Sequence, residues 1–383
     1  MPILGSRNTN ARPSAQRTLQ TPEQQDANKT ANSKASPNDL LVPLPPGSDG
    51  ISSLAFSPNA HNVLCSSNWD GTLRFWEVSW DPSGQLVAVP KAEAKHENSA
   101  PVLCSAFSSD GNSVISGGAD NAVRMYQLGQ RLPPHGIPQQ IGNHDAPVRH
   151  VGFSSITNLA VSGSWDKTVK LWDARSSKPA AVLNLPERCY ALDIKGSLLV
   201  VATAERHIIS YNVQAGAQPR EIERTVANDI LGKSLRCISA FPDTKGYLVG
   251  GIEGRCAIHI FGEPSKEESF EFKCHRVGKD VFSVNHISFH PTKGSIFATV
   301  GGDGIVNIWD KDNKQRLKGF PSINRTIPCA SFNAQGNMFA YASSYDWSKG
   351  SSFYAQGQPN EIFLHYVSED EIKPKGKKTG GRR

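Results

Sequence analysis

Asn143-His144-Asp145-Ala146-Pro147-Val148 opens the stretch of sequence that decides the fold. It continues with Val151-Gly152-Phe153 and Leu159-Ala160-Val161-Ser162-Gly163-Ser164-Trp165-Asp166, and it ends with Thr168-Val169-Lys170-Leu171-Trp172-Asp173. The apolar and β-branched runs have the length of short strands, and the residues between them are typical of tight turns. The stretch therefore predicts three consecutive antiparallel strands joined by turns.

The same unit recurs along the chain. A turn acid follows the second strand of six copies, at Asp70, Asp120, Asp166, Glu205, Glu253 and Asp303. A large ring lies in the third strand of seven copies, at Trp76, Tyr126, Trp172, Tyr211, His259, Trp309 and His365. Successive rings are 39 to 56 residues apart, which fits the roughly 40–45 residues of a four-stranded propeller blade plus loop insertions. The pattern resembles the WD repeat and predicts an all-β fold, a seven-bladed β-propeller whose seventh repeat carries an insertion around residues 343–359.

Three segments differ in composition. Residues 1–37 lack apolar periodicity and predict a disordered N-terminal arm, because they bury too little apolar surface to offset the entropy of ordering. Residues 38–368 contain the repeats and are expected to form the propeller, and residues 369–383 form a basic C-terminal tail. Since an open ring would expose an unpaired strand edge, residues 39–42 are expected to supply the outer strand of the last blade.

The composition argues against several functional classes. No run of about 18 apolar residues and no charged-then-apolar leader occurs, so neither membrane insertion nor secretion is expected. The seven cysteines stand singly, without metal-ligand spacing, and the glycine-rich turns lack the lysine of a phosphate-binding loop. We therefore expect no metal and no cofactor, and a reducing compartment. The net charge of +6 comes from the two terminal segments, and the residues between them are slightly acidic overall.

Ser162, His144 and Asp166 have the residue types of a hydrolase triad. Partial copies of this set recur, with Ser116 and Thr299 at the position of Ser162. A catalytic site is needed only once, whereas a buried polar chain that stiffens each blade would recur with drift. The sequence therefore predicts a structural network, no catalytic residues and a protein that is not an enzyme.

Tryptophan and arginine side chains at one rim of the propeller form a predicted partner-binding surface. Trp69 and Trp165 fall in turns between second and third strands. Arg149, Arg188 and Arg236 fall at or just before first strands, which begin at the same rim. Exposed residues of both types are frequent interface anchors. The alternative is structural: each tryptophan packs on a neighbouring blade and each arginine pairs with a turn acid.

A second set combines basic and aromatic groups around the sixth repeat. Its members are Trp309, Lys311, Lys314, Arg316, Phe272, Lys273 and Arg276. Such groups suit phosphates and unstacked bases, which predicts RNA binding. The alternative is an ordinary solvated loop. A direct, sequence-tolerant RNA-binding protein therefore stays open as a function from a different class.

Several stretches are more specific than the generic repeat. They are Leu185-Pro186-Glu187-Arg188-Cys189-Tyr190, Ala202-Thr203-Ala204-Glu205-Arg206, Ile252-Glu253-Gly254-Arg255, Phe272-Lys273-Cys274-His275-Arg276 and Phe339-Ala340-Tyr341-Ala342-Ser343-Ser344-Tyr345-Asp346-Trp347-Ser348-Lys349-Gly350. Together they make residues 40–372 similar to the poly(A) RNA export WD-repeat factors of the nuclear pore. The spindle-checkpoint WD-repeat protein, a sibling of that family, shares some of them.

The resemblance implies a non-enzymatic adaptor in mRNA export, located in the nucleus, at the nuclear pore complex and nuclear envelope, and also in the cytoplasm. Its implied partners are an acidic segment of a phenylalanine-glycine nucleoporin, held by Arg188 and Arg236 with Trp69 and Trp165 as apolar anchors, and RNA or messenger ribonucleoprotein. The alternative is a spindle-checkpoint adaptor that binds a kinetochore or kinase segment. Residues 171–175 also resemble the W-D-x-R box of ubiquitin-ligase substrate receptors, which adds ubiquitin-ligase components as a partner class.

Overall fold

The folded chain is built from short strands. A computed structural model describes residues 39–59, 62–128, 138–214, 216, 218–226, 234–262, 269–354 and 358–374. The disordered arm predicted for residues 1–37 and the tail beyond residue 374 lie outside these ranges. Within them, regular structure consists of thirty strands and three single-turn 3₁₀ helices, at Glu97–Ser99, Ser351–Phe353 and Glu369–Glu371. No helix in the described ranges has the length and apolar character to cross a membrane.

The strands are numbered in chain order. The first nine are β1 (Leu40–Leu41), β2 (Ile51–Phe56), β3 (Val63–Asn68), β4 (Thr72–Trp80), β5 (Leu86–Lys95), β6 (Val102–Phe107), β7 (Ser113–Gly118), β8 (Ala122–Gln127) and β9 (Gln139–Asn143). The next twelve are β10 (Val148–Ser154), β11 (Leu159–Ser164), β12 (Thr168–Trp172), β13 (Pro179–Asn184), β14 (Cys189–Lys195), β15 (Leu198–Thr203), β16 (His207–Asn212), β17 (Arg220–Val226), β18 (Leu235–Ala240), β19 (Gly246–Gly251), β20 (Arg255–Ile260) and β21 (Phe270–Lys273). The last nine are β22 (Arg276–Val277), β23 (Asp280–Val281), β24 (Val284–Phe289), β25 (Ile296–Gly301), β26 (Val306–Asp310), β27 (Gln315–Gly319), β28 (Ala330–Phe332), β29 (Met338–Ser343) and β30 (Glu361–Tyr366).

Seven four-stranded antiparallel sheets form the blades of a propeller. Blades one to five are β2–β5, β6–β9, β10–β13, β14–β17 and β18–β21, blade six is β24–β27, and blade seven is β28–β30 with β1. The first strand of each blade packs beside those of its neighbours, from β2 against β6 around to β28 against β2. The blades therefore close a ring around a central channel, and the predicted seven-bladed β-propeller is confirmed.

Blade packing explains the burial of the strands. Every residue of β7, β15, β19, β25 and β29, the second strands of five blades, is buried. Neighbouring blades cover both faces of these strands. Burial is therefore continuous along each strand instead of alternating from one residue to the next. The close approach of blades also requires Gly142 in β9, because a Cβ atom there would lie 2.2 Å from the Trp172 ring of the next blade.

The first strand of the chain completes the last blade, as predicted. Leu40 pairs with Leu364, and Leu41 pairs with Phe363. The amide of Val42 continues this pairing beyond β1 with a 2.8 Å hydrogen bond to a carbonyl of β30. The N-terminal part of the fold is thereby joined to its C-terminal part by backbone hydrogen bonds.

A polar cluster reinforces this closure. Asp39 accepts hydrogen bonds from His365 Nδ1 at 2.6 Å and from the Tyr341 hydroxyl, and His365 Nε2 bonds to Glu371 at 3.0 Å. Burial lowers the pKa of His365, but the two carboxylates outweigh it and raise this pKa to about 9. Burial likewise raises the pKa of Glu371, but His365 outweighs it and the pKa falls to about 2. The next residue, Ile372, is buried between blades six and seven.

We expect His365→Gln to destabilise the protein in a pH-dependent way. Because the pKa of His365 is raised on folding, its ion pairs stabilise fully below the unfolded value of about 6.5 and lose their effect as pH rises through about 9. Glu371 has a lowered pKa, so its contribution is lost as pH falls from about 4.5 toward about 2. Scanning calorimetry should show the largest difference in unfolding temperature between about pH 5 and 6.5. A difference that stays constant up to pH 10 would contradict a charged His365.

Strand direction gives the ring two distinct rims. At the upper rim each first strand begins and each second strand turns into the third; at the lower rim first strands turn into second strands and third strands into fourth. Residues 344–354 and 358–360 lie between β29 and β30, the second and third strands of blade seven, and are therefore on the upper rim. We call them the blade-seven insertion.

Candidate functional site

A polar chain runs inward from the upper rim of blade three. His144 bonds through Nδ1 to Asp166 and through Nε2 to Ser162 Oγ, each at 2.7 Å. The Trp172 indole N–H donates to the same hydroxyl at 2.7 Å. Burial lowers the pKa of His144 despite Asp166. The Ser162 hydroxyl is fully buried between His144 and Trp172, so the geometry fits a structural network.

The network recurs in two other blades. In blade six, His275 bonds to Asp303 at 2.8 Å and to Thr299 at 2.9 Å, and Trp309 donates to Thr299 at 2.9 Å. Sequence reasoning did not assign His275 to this network, because the hairpin β22–β23 separates it from the first strand of its blade. His144 stands only four residues from β10.

Blade two carries a modified copy. His96 bonds to Ser116 at 2.8 Å, and Arg124 donates to Asp120 at 2.5 Å and contacts His96 at 3.1 Å. An arginine thus joins the histidine and the turn acid, which lie 3.4 Å apart at His96 Nδ1 and Asp120. Three versions of one polar chain support its role in stiffening blades.

We expect Ser162→Ala to destabilise the propeller. The change leaves buried nitrogen atoms of His144 and Trp172 without a partner, which costs about 1–3 kcal/mol. Urea unfolding should show a decrease of that size in the free energy of unfolding. The exposed Ser177 provides a matched control, because Ser177→Ala should change stability by less than about 0.5 kcal/mol. Equal effects of the two substitutions would contradict the structural role.

The five predicted partner-binding residues belong to four blades and the same end of the ring. Trp69 and Trp165 lie in the upper-rim turns of blades one and three. Arg188 directly precedes β14, and Arg149 and Arg236 are the second residues of β10 and β18. Their role in binding stays a prediction, and their surroundings differ.

Arg236 pairs with a carboxylate of the blade-seven insertion. Its Nη2 donates to the Asp346 side chain at 3.3 Å and to the Asp346 carbonyl at 3.2 Å. The Asp346 side chain is 3% exposed, whereas that of Arg236 keeps 30% of its surface exposed. Since blades five and seven are not neighbours, the insertion extends over the mouth of the channel to reach Arg236.

The same insertion covers Trp69. The ring of Trp69 packs on that of Trp347, with centroids 4.7 Å apart. Trp347 in turn stacks on Tyr354 at 5.1 Å and contacts Tyr345 at 5.5 Å. We call these four residues the aromatic group. The alternative that Trp69 packs on a neighbouring blade therefore holds in part. Its ring packs on the blade-seven insertion rather than on a blade sheet.

Trp165, Arg188 and Arg149 lie outside these contacts. Trp165 keeps 39% of its surface exposed, and Arg188 keeps 54% of its side chain exposed with Glu187 3.7 Å away. Arg149 instead lines the central channel, a cavity of about 600 Å³. Burial, and then the positive charge of Arg236, lowers the pKa of Arg149.

The predicted RNA-binding residues are divided between the two rims. Lys311 and Lys314 lie in the lower-rim turn between β26 and β27, and Arg316 is the second residue of β27. Lys273 ends β21 at the upper rim, and Arg276 follows it there. The structure therefore does not bring the basic residues of this set into one patch.

The three lower-rim cations of this set differ in their contacts. Lys311 forms an ion pair with Asp312 at 2.7 Å, and Lys314 lies 4.6 Å from the centroid of the Phe270 ring. Arg316 is exposed and donates to Asn307 at 3.3 Å.

The other members are held by the blades. Arg276 donates to the carbonyls of Glu253 and Gly254. The rings of Trp309 and Phe272 pack on each other with centroids 4.8 Å apart, at the interface of blades five and six. The role of Trp309, Phe272 and the basic residues in RNA binding stays a prediction.

Two further features concern predicted partners and ligands. In the W-D-x-R stretch, Arg175 donates to both oxygens of Asp173, at 2.9 and 2.6 Å, and its hydrogen bonds lower the pKa of Asp173 to about 2. Binding of ubiquitin-ligase components there stays a prediction. Across the described part of the chain, no three His, Cys, Asp or Glu residues are grouped as a metal site would require.

Comparison with known proteins places this geometry in a protein class. Residues 41–77, 92–127, 137–173 and 266–310 match the family model described as WD domain, G-beta repeat. Together with the seven blades, these matches define a WD-repeat propeller.

Relatives similar over most of the chain narrow the class to a family. The chain is 44% identical over 347 residues to Protein RAE1 of Arabidopsis thaliana, covering 90% of this chain and 95% of the relative. It is 43% identical over 347 residues to the Poly(A)+ RNA export protein of Schizosaccharomyces pombe, covering 89% and 94%. It is 40% identical over 356 residues to the mRNA export factor of Xenopus tropicalis, covering 89% and 92%. The chain belongs to the WD-repeat family of mRNA export factors, which confirms the resemblance seen in the sequence.

Proposed function

We propose that the protein is a non-enzymatic adaptor in mRNA export that docks through its upper rim on an acidic segment of a phenylalanine-glycine nucleoporin. The names of the Schizosaccharomyces pombe and Xenopus tropicalis relatives support the role in mRNA export. The adaptor works in the nucleus and at the nuclear pore complex and nuclear envelope, and also in the cytoplasm. Its second partner is RNA or messenger ribonucleoprotein.

One observation carries the docking proposal: the upper rim already accommodates a carboxylate and an aromatic side chain from the protein itself. Asp346 pairs with Arg236, and the neighbouring Trp347 packs on Trp69. An acidic segment with apolar residues offers the same two types of contact. Charge-assisted hydrogen bonds to a partly desolvated guanidinium are stronger than neutral ones.

Arg188 and Trp165 extend this surface on neighbouring blades. Both are exposed, and Arg188 has only a loose 3.7 Å contact with Glu187, so its guanidinium is accessible to a second carboxylate. At Arg236, by contrast, the partner's carboxylate competes with Asp346 for the same N–H groups. Binding therefore exchanges an internal ion pair for an external one.

We expect the double substitution Arg188→Gln with Arg236→Gln to weaken binding of a short acidic nucleoporin peptide at least tenfold. Each lost hydrogen bond to a charged group accounts for about 1.5–3 kcal/mol. Isothermal titration calorimetry at low and moderate salt measures the change. Asp346→Asn, which removes the internal competitor, should strengthen binding of the same peptide.

Arg220→Gln is the matched control, because Arg220 is exposed at the start of β17, on the lower rim. It should bind the peptide as the wild type does. Unfolding of the double variant would show that the two arginines are structural. Preference of the wild type for a checkpoint-kinase segment would instead favour the spindle-checkpoint adaptor.

We further propose that RNA contacts the lower rim at Lys311, Lys314 and Arg316. These three cations lie in or beside one turn, where they can face successive phosphates of a strand. Lys273 and Arg276 lie at the opposite rim, beside the proposed peptide surface. With RNA on the lower rim, peptide and RNA occupy the adaptor at the same time.

We expect joint replacement of Lys311, Lys314 and Arg316 by Gln to weaken binding of a single-stranded polyadenylate oligonucleotide. The slope of log K against log salt should fall by about 0.7 for each lost phosphate contact. Fluorescence anisotropy over a range of salt concentrations measures both quantities. Replacement of Lys273 and Arg276 by Gln serves as the upper-rim comparison. A larger loss in the upper-rim variant would overturn the lower-rim assignment while leaving the peptide proposal intact.

A further inference from the structure

The blade-seven insertion is fixed firmly at its base. The Ser344 hydroxyl accepts a hydrogen bond from the Ile51 amide at 3.0 Å and donates one to the Asn360 side chain at 2.8 Å. Asn360 in turn donates from Nδ2 to the Ser48 carbonyl at 3.0 Å. These bonds tie both ends of the insertion to each other and to the chain that enters β2, so the base belongs to the rigid ring.

The tip of the insertion is a compact unit held by its own hydrogen bonds. The Tyr345 hydroxyl donates to the Gly350 carbonyl at 2.9 Å, and the Gly350 amide donates to the Trp347 carbonyl at 3.1 Å. The Ser348 amide donates to the Asp346 side chain at 3.1 Å. We call residues 345–350 the strap. Because these bonds are internal, the strap keeps its shape when it moves relative to the ring.

The contacts that hold the strap on the ring are weaker than those at its base. The hydrogen bonds from Arg236 to Asp346, at 3.2 and 3.3 Å, are longer than the roughly 2.7–2.9 Å of strong charge-assisted bonds. The rings of Trp69 and Trp347 are tilted by 35° instead of stacking in parallel. Since 30% of the Arg236 side chain is exposed, a second carboxylate has access to it.

Trp347 is strained in the closed position of the strap. Its φ of +59° lies in the left-handed region, and it has the largest side chain among the described non-glycine residues with a positive φ. Its indole Nε1 is buried without a hydrogen-bond partner among the described residues, whereas the indoles of Trp76, Trp172 and Trp309 each donate a bond. Backbone strain and an unpaired donor both oppose closure, and departure of the strap relieves both.

We propose that the strap is autoinhibitory: it occupies the peptide surface in the free protein and moves away as a unit when the acidic segment binds. Asp346 and Trp347 are consecutive residues of one compact turn. A partner carboxylate that displaces Asp346 from Arg236 therefore also removes Trp347 from Trp69, while the base stays in place. This regulation rests on the proposed docking function, and it makes both predicted anchors available in one step.

Trp347→Gly in the full chain tests the strap. The change removes the ring that packs on Trp69, and glycine adopts a positive φ without strain, so the propeller is kept. Isothermal titration calorimetry should show the acidic nucleoporin peptide binding about tenfold more tightly, which corresponds to a strap that is open in about a tenth of free wild-type molecules. Phe353→Ala is the matched control, because Phe353 is 63% exposed on the same insertion, outside the strap. This variant should bind as the wild type does.

Hydroxyl-radical footprinting of the wild-type chain tests the movement without any substitution. Oxidation of each tryptophan side chain, measured by mass spectrometry, reports its exposure to water. Saturating peptide should increase oxidation of Trp347, which leaves its packed position, and decrease oxidation of Trp69, which the peptide covers. Trp80 is the internal control, because it is exposed at the lower-rim end of β4 and should not change.

The outcomes separate the strap from the docking function. If the peptide binds the wild type but leaves oxidation of Trp347 unchanged or lowers it, the strap is overturned and docking stands. Equal or weaker peptide binding by Trp347→Gly has the same meaning, since the strap would then be part of the bound surface or irrelevant to it. Failure of both proteins to bind the peptide would overturn both proposals. Binding by Trp347→Gly alone would support both.

Discussion

Pairing between the first and last strands is the interaction on which the rest of the structure depends. Both faces of a propeller blade are largely apolar. Each blade therefore needs a neighbouring blade on both sides. Only a closed ring supplies both neighbours to all seven blades. Leu40 and Leu41 complete the outer edge of blade seven, and the cluster of Asp39, His365 and Glu371 adds charge-assisted bonds beside them. The geometry of both rims follows from that closure.

Closure also separates the two proposed binding surfaces. Because strand direction alternates within each blade, successive connections between strands lie at opposite rims. Lys273 and Lys311 belong to adjacent blades, yet one lies above the ring and the other below it. The upper rim presents Arg188 and Trp165 directly, while Arg236 and Trp69 are covered by the blade-seven insertion. The upper rim thus has an outer surface that is open and a central one that carries its own acidic occupant.

The repeated parts of the fold were predictable from the sequence, and the singular parts were not. The turn acids and third-strand rings recur at blade spacing, so blade number and the polar chain around Ser162 could be read from local pattern. His275 was missed because an extra hairpin displaces it from its blade. The contact between Arg236 and Asp346 joins residues 110 positions apart, and no local pattern encodes it. Arg149 and Arg236 occupy equivalent positions in their strands, and it is Arg236 that pairs with Asp346 of the insertion.

The closing strand has a consequence for synthesis. Asp39 and His365 are 326 positions apart, so the nascent chain exposes an incomplete ring until nearly the whole body has left the ribosome. At about 5–20 residues per second, this interval lasts on the order of tens of seconds. During it, β1 has no partner and the edges of the early blades are uncovered. The chain's demand for protection by chaperones is therefore set by its last strand, and a truncation that removes β30 would prolong that exposed state indefinitely.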